Sequence, residues 1–155
     1  MDSKNVVQPD SGAKDRSAID MALFVARLIV GIIFVAHGSQ KLFGAFGGPG
    51  LAGVVKMMGP LGYLVTIGEF FGGLGIIVGF LSRFSAASLI VIMLGAIAMV
   101  HGKAGFFAPA GFEFPLALIG LLAPILIAGP GRFAVGRFLP LPKAAATRRT
   151  VSALE

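Results

Sequence analysis

The stretch LGYLVTIGEFFGGLGIIVGF, Leu61 to Phe80, decides the fold. Its one charged residue is Glu69. At ~1.5 Å of rise per residue, a helix of this length crosses the ~30 Å hydrocarbon core of a bilayer. Barrel strands alternate in polarity, and this run does not. Pro60 suits the N-terminal edge of a helix. Within the run, Gly68, Gly72, Gly75 and Gly79 recur at helical spacing and fall in one narrow stripe. Gly68-x-x-x-Gly72 and Gly75-x-x-x-Gly79 let a second backbone come close, which drives helix association where lipid supplies no hydrophobic force. The stripe is expected to pack against a helix of the same chain or of a second copy.

Three further apolar segments surround it. They are Met21 to about His37 with a continuation towards Phe43, Phe84 to Val100, and Phe112 to Ala128. Leu81-Ser82-Arg83 is short enough to make segments two and three an antiparallel hairpin. Between segments one and two, Leu51, Val54, Val55 and Met58 form one helical face, too short to span and suited to the interface. Pro124 in segment four crowds the carbonyl of Gly120, so a kink is expected there. Gly129-Pro130-Gly131 ends that segment. The fold class is all-α integral membrane: a four-transmembrane-helix bundle with an interfacial helix between helices 1 and 2. Residues 1–20 read as a disordered cytoplasmic tail, 21–138 as the membrane domain and 139–155 as a basic cytoplasmic tail.

Composition agrees. Of 155 residues, 56% are hydrophobic and 13% charged, against about 25% charged in soluble domains. The mean hydropathy is +0.92. Cysteine is absent, which excludes disulfides, thiolate metal sites and thiol exchange on this chain. Tryptophan is also absent and tyrosine occurs once, so an interfacial aromatic belt must come from the 14 phenylalanines. The net charge of +6 reads as a topology signal rather than a nucleic-acid surface. Lys4, Lys14, Arg16, Arg83, Arg132, Arg137, Lys143, Arg148 and Arg149 lie on the side of the termini. Lys41, Lys56 and Lys103 lie on the other. This bias predicts both termini in the cytoplasm.

Ionisable groups inside a bilayer are costly, so each needs a partner or a task. Arg27 sits about two turns into segment one, and Glu69 about two turns into segment two from the opposite side. Antiparallel helices are expected to bring the pair near each other, with Arg27 fixing Glu69. The structural alternative is an ion pair near the membrane middle, or an Arg27 that snorkels. His37, Glu69, His101 and Glu113 all fall towards the outer ends of the spans and form the candidate catalytic constellation. Histidine exchanges protons near neutral pH, and a carboxylate can hold its tautomer. A quinone headgroup suits such a place, since its ring is apolar, its carbonyls need donors and its reduction needs protons. The alternative is that each histidine caps a helix end. Haem b between the two histidines is a weaker fit. No metal site is expected, because no H-E-x-x-H or other tight ligand spacing occurs.

Ordered motifs carry a resemblance. They are His37-Gly-Ser-Gln-Lys-Leu-Phe-Gly44, Glu69-Phe-Phe-Gly-Gly-Leu74, Gly79-Phe-Leu-Ser-Arg83, His101 followed by Gly105-Phe-Phe107, Gly111-Phe-Glu-Phe-Pro115 and Gly129-Pro-Gly-Arg132. In this order they resemble the DoxX family of small four-helix bacterial membrane proteins, over about residues 22–138. The resemblance implies a redox-linked role as a subunit or accessory of a membrane oxidoreductase complex in the inner membrane, with no defined reaction. The motif positions of interest are His37, Gln40, Lys41, Glu69, Arg83, His101 and Glu113, with Arg27, Gln40 and Lys41 as the expected cofactor-binding set. The other function class is a non-enzymatic scaffold or small-molecule permease, with a homo-oligomer built on the glycine stripe.

Overall fold

In the computed structural model, residues 11–137 are described, and within them every regular element is helical. Helix α1 runs Ser11–Phe43, α2 Gly50–Met58, α3 Leu61–Val78, α4 Ser82–Ala96 and α5 Glu113–Ala128. A π-helical turn, Ile97–His101, and a 3-10 turn, Gly102–Ala104, prolong α4. Glycines in the left-handed region end the helices where their register must break. Gly44 has φ 71° after α1, and Gly79 has φ 78° after α3. Gly79 donates back to the Gly75 carbonyl at 2.9 Å, closing the last turn.

Three helical stretches, Lys14–Phe43, Leu61–Val78 and Ser82–Ala104, are long and apolar enough to cross a membrane. The fourth apolar helix, α5, is shorter and carries Pro124. At 33 residues, α1 is ~50 Å long and outruns the hydrocarbon. Its first turns hold Lys14, Asp15 and Arg16, all exposed. Residues 11–20 are therefore helical, where a disordered tail was expected. An apolar helix anchored in the bundle propagates outward at little cost once nucleated. Residues 1–10 and the basic tail at 139–155 lie outside the described residues.

The bundle closes in the order α1, α3, α4, α5, with α5 back against α1. Helix α2 packs on α1 and α3 at the end remote from the chain termini. Leu23, Val30 and Phe34 of α1, Ile76 of α3, Leu89 of α4 and Leu122 of α5 meet in one core. Large apolar side chains also cover the outside, such as Ile32, Leu64, Phe71, Val91 and Ile127. A bundle in water would place polar groups there. Both faces are apolar because the outer one meets lipid.

The glycine stripe of α3 packs inside the chain. A Cβ on Gly68, Gly72 or Gly75 would meet Ile92, Leu89 or Ser85 of α4. The tightest helix contact lies on another face of α3, against α1. There Gly31 and Gly73 face each other, and a Cβ on Gly38 would come within 2.6 Å of the Phe70 backbone. Ala117, Gly120 and Pro124 on α5 turn outward. Gly120 and Pro124 border a shallow groove of about 650 Å³ beside Ala22 and Ala26 of α1.

Candidate functional site

The close α1–α3 seam determines which polar groups can meet. Gly62, Thr66, Glu69, Gly73 and Ile76 form the buried stripe of α3. Lys41 lies in the last turn of α1. Its Nζ donates to both carboxylate oxygens of Glu69 at 2.5 Å. The Glu69 side chain is 3% exposed and that of Lys41 28%. The pair is thus reachable from the lysine side only. Thr66 stands one turn from Glu69 on the same face, with Cβ atoms about 5–6 Å apart. Its Oγ1 is buried and, among the described residues, has no hydrogen-bond partner. A buried hydroxyl normally has one. Lys41, Glu69 and Thr66 together present a donor, a carboxylate and a free hydroxyl in an apolar seam.

Arg27 does not fix Glu69. It is fully buried, and its guanidinium donates to four carbonyls. Two belong to the last turn of α3: Nε to Ile76 at 2.8 Å and Nη2 to Ile77 at 2.7 Å. Two belong to the segment after α5: Nη1 to Pro130 at 2.7 Å and to Phe133 at 2.8 Å. Ile76 is ~10 Å further along α3 than Glu69. The planar fork matches the orphan carbonyls of a helix C-terminus, which also carry the negative end of the dipole. Arg27 is a clamp at the terminal end of the bundle. Asp20 supports the same segment, accepting from the Arg132 backbone N–H at 3.0 Å.

The four-residue constellation divides. His37 is exposed on α1 and lies against the Phe114 ring, 6.0 Å between centroids. His101 Nδ1 bonds the Ala110 carbonyl at 2.7 Å. Since a carbonyl only accepts, the ring carries its proton on Nδ1. Glu113 accepts from the Ala108 N–H at 2.7 Å. His101 and Glu113 thus hold the loop that joins α4 to α5. Gln40 is half-buried, its backbone under Gly48 at the turn that follows α1. Arg83 donates to the Ile127 carbonyl at 2.9 Å, tying α4 to the end of α5. No group of three metal-ligating acids or imidazoles gathers among the described residues.

A second groove of about 650 Å³ runs between α3 and α4 over Gly68, Gly72 and Gly75. Neither groove is lined by a histidine, so neither seats a haem between His37 and His101. Lys41 and Glu69 face the other side of α3 and border neither. Sequence reasoning missed Thr66, although its place three residues before Glu69 was the available signal. It also missed Lys41 as the partner of Glu69, because depth in the span was read without the direction each side chain takes around its helix.

Comparison with known proteins bears on most of the chain. The chain matches the DoxX family over residues 22–102. It is 31% identical over 124 residues to the inner membrane protein YqjF of Escherichia coli K12, covering 77% of this chain and 93% of that protein. It is 28% identical over 104 residues to a Bacillus subtilis 168 protein named "Putative oxidoreductase CatD", covering 67% of this chain and 78% of that one. No solved structure matches the chain.

Proposed function

We propose that this chain, which belongs to the DoxX family of membrane proteins, is a subunit or accessory of a membrane oxidoreductase complex and binds a quinone or similar amphiphile at the Lys41–Glu69 seam. The carrying observation is the buried ion pair itself. Replacing such a pair by apolar groups is often neutral or stabilising, so stability is a poor reason to keep one between two membrane helices. Lys41, the more exposed member of the pair, supplies a donor to a quinone carbonyl. Glu69 holds or releases the proton that accompanies reduction, and the exposed His37, one turn from Lys41 on α1, exchanges protons with the surroundings. Electrons must come from a partner subunit. The oxidoreductase named among the relatives supports this direction. The setting is a bacterial inner membrane with both termini in the cytoplasm, as the Lys and Arg bias and the inner-membrane relative suggest.

The test is quinone retained by protein purified gently from its own membrane. Glu69→Gln, Lys41→Met and His37→Ala are expected to lower retention while the protein still inserts. His101→Ala is expected to leave retention unchanged, since that ring serves the loop. Equal retention in the parent and the first three variants removes the site.

A scaffold or permease is the second reading. The glycine stripe meets α4 within the chain but also lines the open α3–α4 groove, so two surfaces remain for a second copy: that groove, and the small-residue groove at Ala22, Ala26 and Gly120. Gly120→Leu fills the second groove and should break an oligomer built on it, read on native gels. Gly72→Leu collides with Leu89 and should instead disturb the fold.

A further inference from the structure

Residues 104–112, Ala-Gly-Phe-Phe-Ala-Pro-Ala-Gly-Phe, contain no polar side chain. Residues 104–110 are all exposed, with Phe107 at 77%. A loop that faces water normally carries polar residues, and so large an apolar exposure marks an interaction surface. The backbone of this loop is unusual in the complementary sense. Gly111 N–H donates to Phe107, Phe112 N–H to Gly105 and Glu113 N–H to Phe106, all at 2.9 or 3.0 Å. The Glu113 carboxylate takes the Ala108 N–H, and the His101 ring serves the Ala110 carbonyl. Much of the polar backbone is thus paired within the loop, and the apolar side chains are exposed. This is the arrangement that irregular chain needs where water is scarce.

The surroundings name the occupant. The loop lies at the end of the bundle remote from the termini, where the spans leave the hydrocarbon. Lys103, exposed, immediately precedes it. Phe46 projects at the same end, 80% exposed on a backbone held at φ 53°, a region that side-chain-bearing residues rarely adopt. Lys56 is exposed on α2, which packs at the same end. Exposed lysines and exposed phenyl rings at one end match the phosphates and acyl chains of a lipid leaflet.

We infer that the 104–112 loop is a wedge inserted into the lipid leaflet at the end remote from the termini, with His101 and Glu113 as positioning residues that satisfy its backbone. The inference is independent of the quinone reading. It also gives two of the four constellation residues a role outside chemistry.

The absence of tryptophan makes a clean test possible. Phe107→Trp, with Phe106→Trp as a second reporter, is placed in the full chain in phospholipid vesicles. Phe71→Trp, on the outside of a span, serves as the deep reference. The wedge predicts blue-shifted emission, quenched by phospholipid brominated high on the acyl chain and insensitive to aqueous iodide. Quenching by iodide without loss to brominated lipid overturns the wedge. Protection from both quenchers also overturns it, in favour of a protein-covered loop. His101→Ala and Glu113→Ala in the Phe107→Trp background are expected to shift the reporter towards iodide. An unchanged reporter in both removes the positioning role.

Discussion

The two ends of the bundle bury charge in opposite ways. At the end near the termini, Arg27 gives all its hydrogen bonds to backbone carbonyls, groups that neither titrate nor leave. At the remote end, Lys41 meets a carboxylate that can take a proton, beside a hydroxyl with no partner. One arrangement locks helix ends together. The other sets two ionisable side chains against each other. The two ends thus differ in whether the partner of the buried charge can itself titrate, and the proposed site rests on that difference.

Breaking the clamp should cost most. Arg27→Met leaves four carbonyls without their donor, at ~1–3 kcal/mol for each that stays buried. We expect a loss of at least ~4 kcal/mol, read as a lowered melting temperature in detergent or as failure to accumulate. Arg27→Lys should recover only part, because an ammonium lacks the planar fork. At the remote end, Glu69→Gln or Lys41→Met alone should cost ~3 kcal/mol by stranding the other charge. The double variant should recover much of that, with a coupling energy of ~1–3 kcal/mol in a double-mutant cycle. Additive losses would mean that the two groups do not act as a pair.

Smaller effects sharpen the account of the seam that sets up the pair. Gly38→Ala drives a methyl into the Phe70 backbone and should cost ~1–3 kcal/mol. Gly120→Ala has nothing within 4 Å to meet. It should be neutral or favourable by up to ~1 kcal/mol, as alanine is the better helix former. The same chemical change at two helical glycines thus differs in sign, and melting curves of both variants measure the difference.

Spans, the hairpin and most helix ends were legible because hydropathy and length constrain them directly, but the polar start of α1 at Ser11 was not. The segment from Phe112 to Ala128 matches α5, Glu113–Ala128, to one residue. The small-residue packing of α3 was legible too, though not which glycine meets which helix. Gly73 lies outside the expected stripe, yet it faces Gly31 of α1, and a Cβ there would come within 2.9 Å of the Val35 amide nitrogen. The site was harder to read. Arg27 and Glu69 are each a lone charge in an apolar run, and depth alone pairs them. Their actual partners depend on azimuth and on backbone carbonyls, which a residue-type pattern does not display. His101 and Glu113 were read by residue type as acid–base groups. Only the folded loop shows that both bonds go to main-chain atoms.

The most direct test of the central claim is mass spectrometry of the complex isolated gently from its native membrane, proteins and extracted lipids read together, for the parent and for Glu69→Gln. The account predicts an oxidoreductase partner with bound quinone in the parent, and quinone depleted in the variant while the partner stays bound. A homo-oligomer carrying ordinary phospholipid alone, identical in parent and variant, would contradict it.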